Sequence, residues 1–455
     1  MSDHSSQSAT AAGFGAQVFD GPIFEWAALD RSARDAVLQR PPATRNAELT
    51  RSVARIVAQV RADGDAALRA LTRRFDGCEL AQLEAVPAEF VEAQERLDDV
   101  VREAIDAAHG RIEAFHRATA PAPVRVETAP GVVCERMLRP IERVGLYIPA
   151  GGAPLPSTAL MLGVPAQIAQ CPQVIACTPA SAQGGVDPAV LHALARCGIG
   201  SVYKIGGAQA IAAMAFGTES VPRCDKIFGP GNAWVTEAKR QAAHDPAGAA
   251  IDLPAGPSEV LVIADAHASP EAVAADLLAQ AEHGPDSQVL VVSDDRVLLA
   301  ATVVEVRRQL ADLPRAAIAA AALAHARVIL VASLDEAMAV SNAYAPEHLI
   351  LNVGAPRRLL EKVENAGSVF LGPWSPESVG DYCSGTNHVL PTYGHARAWS
   401  GVSVASFLKQ ITVQELTSAG LRAIGPCAAT LARAEGLHAH ERAVTRRLAM
   451  LGDPA

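Results

Sequence analysis

Aromatic residues supply only 4% of this 455-residue chain, and no surplus of positive charge accompanies them. The formal net charge is −10 and the pI about 5.7. Without a basic surface or stacking platforms, nucleic acid and anionic membranes are poor partners. No unbroken apolar run is long enough for a spanning helix. The stretch from Met1 to Gln17 has neither the basic start nor the apolar centre of a secretory signal. The eight cysteines form no C-x-x-C pair, which in a chain of this length points to reduced thiols and a cytoplasmic protein. None of the glycine-bearing turns matches G-x-G-x-x-G.

What is present is a large apolar fraction, 50%, against 19% charged residues, enough for two or more cored domains. Residues 1–20 read as a flexible tail. Residues 21–145 read as a helical part, with helices over 44–75 and 86–120, expected to pack with the second of two α/β domains. Strand and helix patterns then alternate over 146–256 and again over 257–400, with a join near Asp252–Pro257. Such alternation predicts parallel sheets covered by helices on both faces. A C-terminal region, 401–455, is expected to form helices over 412–434 and 441–451.

Several stretches hold groups able to do chemistry. Residues 271–279 predict a helix that Gly284-Pro285 stops, so Gln280 and His283 fall at i and i+3 of its last turn. An amide oxygen and an imidazole there suit a metal if other ligands arrive, or simply cap the helix. The turns Pro149-Ala150-Gly151-Gly152, Gly206-Gly207-Ala208-Gln209 and Gly229-Pro230-Gly231-Asn232 end strands and open helices, as anion sites and ordinary tight turns both do. Glu347-His348 precedes a strand; to share a site the two must lie at the turn, since adjacent strand residues point to opposite faces. There they suit acid–base work at neutral pH. Asp381 to His388 reads as a polar loop, with Asp381 a possible oxygen ligand. Glu435 and His440 flank a glycine break between C-terminal helices.

Taken together, these stretches resemble histidinol dehydrogenase. The likeness is carried in order by Gly206–Ala212, Asp225–Asn232, Pro254–Val260, Gln280–Gln288, Pro346–Ile350 and Gly380–Thr392. The resemblance implies two Rossmann-like parallel-sheet domains, incomplete for want of G-x-G-x-x-G, with a C-terminal region that crosses to the partner in an intertwined homodimer. It implies oxidation of L-histidinol to L-histidine through the aldehyde, with two NAD. One zinc per subunit would be held by Gln280, His283, Asp381 and His440. Glu347 and His348 would be the acid–base pair. Substrate would meet Ser258, Gln280, His283, His348, Asp381, His388, Glu435 and His440, and NAD would meet Tyr147, Gln209 and Asn232. Ala150 and Ala345 stand where glycine is expected. Another polar-alcohol dehydrogenase on this scaffold, a non-catalytic zinc- and nucleotide-binding regulator, and a structural metal protein are the competing readings. The intact Glu347-His348 pair argues against the second, and mixed N/O ligands without cysteine argue against the third.

Overall fold

The computed structural model describes residues 23–41, 47–150, 153–254 and 256–452. The expected tail, the Gly151-Gly152 part of the first turn and Ala255 in the expected join lie outside the described residues. In chain order the strands are β1 (Ile23–Glu25), β2 (Val124–Ala129), β3 (Val132–Pro140), β4 (Arg143–Tyr147), β5 (Gln173–Cys177), β6 (Ser201–Tyr203), β7 (Lys226–Phe228), β8 (Ala250–Ile251), β9 (Glu259–Ala264), β10 (Gln288–Ser293), β11 (Arg327–Leu330), β12 (His348–Asn352), β13 (Ser368–Leu371) and β14 (Leu408–Leu416).

The first sheet is parallel, in the order β6-β5-β4-β7-β8. Alternate residues of its strands feed two cores. Val144, Leu146 and Ile148 pack with helices Pro156–Ile168, Pro188–Arg196 and Asp99–Ala118 on one face. Tyr147, Ile175 and Ile227 pack with Gly207–Phe216, Ala233–His244 and Ala47–Asp76 on the other. The N-terminal helices therefore cover the first sheet. This corrects the expectation that the whole of 21–145 packs with the second. The segment from Ile23 to Pro41 is the part that joins the second sheet: β1 pairs with β11, Trp26 and Val37 enter the core, and Arg40 reaches Glu259 of β9. Amphipathic periodicity gave those helices an apolar face but no address for it.

The second sheet is also parallel, in the order β1-β11-β10-β9-β12-β13. β9, β10 and β12 are buried along their whole lengths, as strands covered on both faces must be. A third, antiparallel sheet, β14-β3-β2, leads into two helices, Ser418–Ala434 and His438–Met450. The expected start of the first C-terminal helix at 412 is corrected: residues 408–416 complete a ladder with β3, and Thr417 caps the helix through Gly420 N–H. Among the described residues no helix is long and apolar enough to cross a membrane.

The two alanines found where glycine was expected behave differently. Ala150 does not take a positive φ and carries no left-handed strain. Ala345 ends the helix Leu334–Tyr344 at φ 55, ψ 69, fully buried, two residues before Glu347. That conformation costs an L-residue about 1–2 kcal/mol. Ala345→Gly should therefore leave thermal stability unchanged or raised, although it deletes a buried methyl. Ala337→Gly, at a buried right-handed position of the same helix, should lower stability by about 1 kcal/mol. Equal losses in the two melting curves would show that Ala345 is unstrained.

Candidate active site

The amino ends of β9 and β12 lie side by side, with His348 opposite Val260 in the register. Glu347 occupies the bend before β12 and His348 is the first residue of the strand, so both side chains reach one site. Both are buried. The main chain of Glu259 holds them: its N–H donates to Glu347 Oε2 at 2.8 Å, and its carbonyl lies 3.1 Å from His348 Nδ1. A carbonyl can only accept, so Nδ1 carries a proton, and in the neutral ring Nε2 keeps the lone pair. Nε2 has no hydrogen-bond partner, and its nearest acid is Asp381 at 3.5 Å. Burial pushes the Glu347 carboxyl up to about 8, against the opposing pull of His348. Burial disfavours the His348 cation, but Glu377, Glu347 and Asp381 outweigh it and hold its pKa well above the ordinary value.

Asp381 is not in a loop, as its sequence suggested. It belongs to a short helix, Glu377–Tyr382, where Glu377 and Asp381 at i and i+4 share a face. The loop begins after it. Glu377, Asp381 and His283 bring one ligand atom each to within 4.8 Å of one another, a grouping able to hold a metal ion. His283 lies two residues beyond the end of the helix Pro270–Ala281, in the turn, while Gln280 is in the last helical turn. The Gln280 amide, with its nitrogen turned to Glu377, donates to that carboxylate and accepts from Glu259 N–H at 3.0 Å. Burial also pushes Glu377 up to about 8. Asp381 is pushed up by burial too, but the imidazoles of His348, His388 and His283 hold it below the usual carboxylate value.

His388 connects this site to the first sheet. Its Nδ1 lies 2.8 Å from the Asp381 carbonyl, and its Nε2 lies 3.3 Å from Thr158 Oγ1 in the first turn of the helix Pro156–Ile168. That helix follows β4. The order of the first sheet reverses between β4 and β7, and such a switch point is where open α/β sheets take ligands at the carboxyl ends of their strands. Tyr147 ends β4, Gln209 follows β6 in the helix Gly207–Phe216, and Asn232 caps the helix after β7. Tyr147 and Gln209 are buried; the Tyr147 hydroxyl accepts from Gly207 N–H at 2.9 Å and so fixes that turn. Asn232 is exposed, and its oxygen accepts from the N–H groups of Trp234 and Val235. Gly229 has φ 124, and a Cβ there would collide with the Tyr147 carbonyl. A buried Lys239–Asp252 pair grips both its ends: Asp252 accepts Gly229 N–H at 2.7 Å and Lys239 donates to its carbonyl at 2.8 Å.

Ser258 is half-buried directly before Glu259. Glu435 and His440 are not brought to these groups within the chain. They line a groove between the helices Ser418–Ala434 and His438–Met450, together with Leu431 and Leu437. Sequence reasoning missed Glu377, Glu259 and Arg40. The first had a signal, its i,i+4 spacing to Asp381, hidden because Asp381 itself read as loop. Glu259 lies inside the stretch Pro254–Val260, but it acts largely through its main chain, which no residue type announces. Arg40 forms a two-toothed ion pair with Glu259 across 219 positions, a distance no local pattern spans.

The family model described as histidinol dehydrogenase matches residues 39–448. The chain is 60% identical over 426 residues to a histidinol dehydrogenase of Xanthomonas euvesicatoria pv. vesicatoria, covering 94% of this chain and 99% of the relative. It is 54% identical to one of Vibrio vulnificus, covering 94% and 98%. The crystal structure of histidinol dehydrogenase from Elizabethkingia anophelis superposes with a TM-score of 0.90 at 47% identity, covering 93% of this chain and 98% of that one.

Proposed function

The chain belongs to the histidinol dehydrogenase family, and from that premise we propose how its site works. It is an NAD-dependent oxidoreductase that oxidises histidinol in histidine biosynthesis. In our reading it does so twice on one substrate, from L-histidinol through L-histidinaldehyde to L-histidine, with two NAD. The observation that carries this reading is the buried Glu347-His348 pair, both members held by the main chain of one residue, Glu259.

In its neutral form His348, whose Nε2 lies beside Asp381, is the base for the hydroxyl proton of the alcohol, and bound NAD would be the hydride acceptor. The aldehyde needs water before a second hydride can leave. Glu347, a carboxylate made more basic by burial, is the base for that water. Burial of both groups keeps the intermediate from side reactions.

The donor set fits zinc: an imidazole, carboxylates and an amide gathered without cysteine, beside a buried imidazole nitrogen that lacks a partner. Gln280, His283 and Asp381 would hold it, with His440 of the partner subunit. Glu377 orients Gln280 and stands within reach as a further oxygen ligand. An amide oxygen turned to the metal gives up Glu259 N–H without orphaning it, because Glu347 already accepts from it. When bound, the zinc would act as a template for the nitrogens of the substrate. Ser258, His388 and Glu435 complete the substrate contacts. NAD would be held at the carboxyl edge of the first sheet by Tyr147, Gln209 and Asn232, a Rossmann-like placement that rests on the switch point between β4 and β7.

The C-terminal region supports a homodimer with shared sites. The helix His438–Met450 buries none of its residues within the chain, and Leu431, Leu437 and Met450 stand exposed. All eight cysteines are free, as suits a cytoplasmic enzyme.

Histidinol supplied in limiting amount should yield two NADH per molecule consumed; a ratio of one would overturn the two-step reading. Removing divalent metal should lower turnover by more than about 100-fold, and zinc should restore it. Full activity in protein proven metal-free by elemental analysis would dispose of the zinc assignment.

A further inference from the structure

Glu259 faces two ways. Its main chain holds the acid–base pair, and its carboxylate, 2% exposed, is held by Arg40, itself 12% exposed. The guanidinium engages both carboxylate oxygens, with Nη2 at 2.9 Å from Oε2. The same Nη2 donates its other hydrogen to the Tyr344 carbonyl at 2.9 Å, with the Ala345 carbonyl sharing at 3.3 Å, and Cζ lies 3.9 Å over the Tyr344 ring. These carbonyls end the helix Leu334–Tyr344, where a cation is favoured, and the chain passes from them through Pro346 to Glu347. One side chain therefore ties the start of β9 to the approach to β12. Tyr393 closes the cluster: its N–H donates to Glu259 Oε1 at 2.9 Å and its hydroxyl to the Pro41 carbonyl. Two of the three non-glycine residues with positive φ among the described residues, Ala345 and Tyr393, flank this guanidinium. Strained backbone of this kind persists only where its surroundings over-determine it.

We propose that Arg40 is a positioning residue for the reaction: by fixing Glu259 and the end of the preceding helix, it sets the main-chain groups that orient Glu347 and select the Nδ1–H tautomer of His348. This presumes the roles given above to Glu347 and His348. Arginine is required because two oxygens of a buried carboxylate and two carbonyls need a fork of donors in a fixed plane, which lysine does not offer.

The test uses the full-length, zinc-loaded enzyme with Arg40→Met, Arg40→Lys and Arg40→Ala, and His348→Ala alongside. Displacing an acid–base group by about 1 Å costs on the order of 100-fold. Arg40→Met should thus lower kcat by about 10–100-fold, with KM for histidinol and for NAD within about threefold of wild type. Arg40→Lys should fall between. Added guanidinium ion should recover part of the kcat of Arg40→Ala, and methylammonium should not. In ¹⁵N spectra recorded at a pH high enough for the ring to be neutral, the imidazole signals of His348, identified by their loss in His348→Ala, should show Nδ1 protonated in wild type and a mixture of tautomers in Arg40→Lys. Full kcat in Arg40→Met, a raised KM with unchanged kcat, or a lowered melting temperature with unchanged kcat would overturn the assignment. Where Arg40→Met does not fold, the kcat and tautomer of Arg40→Lys decide it on the same terms. An active His348→Ala would instead sink the acid–base reading, whereas an inactive His348→Ala beside a fully active Arg40→Met sinks the positioning role alone.

Discussion

His348→Ala should lose about 10³-fold or more in turnover of both histidinol and histidinaldehyde, because the imidazole serves each half-reaction and a positioned acid–base group is worth about 10²–10⁴. Glu347→Gln should divide the two. The amide keeps the shape of the carboxyl and can still accept from Glu259 N–H, so the fold of the bend and the tautomer of His348 survive. It cannot take a proton from water. Oxidation of histidinaldehyde should fall by about 10²-fold or more, while oxidation of the alcohol falls by less than about tenfold. Each half-reaction is measured as NADH formed in a single turnover, with the aldehyde supplied for the second. Equal losses in the two halves would remove Glu347 from its role with water and leave it a structural neighbour of His348.

The same pair shows how far sequence alone reaches. Adjacent residues share a site only at a strand end, and the structure puts Glu347 in the bend and His348 at the first position of β12. That was legible because period-two geometry leaves no other solution. The alternation of buried strands and helices likewise announced two parallel sheets, and the apolar runs at 260–264, 289–292, 328–331, 349–352 and 369–371 all form strands of the second within a residue or two. What was not legible is long-range. The helices Ala47–Asp76 and Asp99–Ala118 carry apolar faces that suit either sheet, and only tertiary packing assigns them to the first. Glu377 joins the ligand group because a six-residue helix takes in Asp381 and Tyr382, which read as loop. Strand 408–416 owes its form to a partner some 270 positions earlier in the chain, a pairing that outweighs its local preference.

The site should be restored when two dead variants are combined. Within one chain, Gln280, His283, Glu377 and Asp381 gather at the second sheet, while Glu435 and His440 stand together in a groove of the C-terminal helices. Those helices pack on each other and meet the rest of the described fold chiefly at β2 and β14, with apolar side chains left exposed. A surface of that kind suits contact with a second chain. If the partner subunit supplies His440, an isologous dimer has two sites, each built from both chains. His348→Ala and His440→Ala are then each inactive as homodimers. In a mixed dimer one site collects both lesions and the other neither. Refolding equal amounts together makes about half of the dimers mixed, each with one intact site of two, so about a quarter of wild-type activity should return. Separate unfolding and refolding of each variant sets the baseline, and two different affinity tags confirm the mixed species. Zinc content gives a second readout: the mixed dimer should hold about one ion more tightly than the His440→Ala homodimer holds any, since His348 is not among its ligands. Mixed dimers isolated through both tags that regain neither activity nor the tightly held ion would place His440 outside the site and leave the metal to Gln280, His283, Glu377 and Asp381 of one chain.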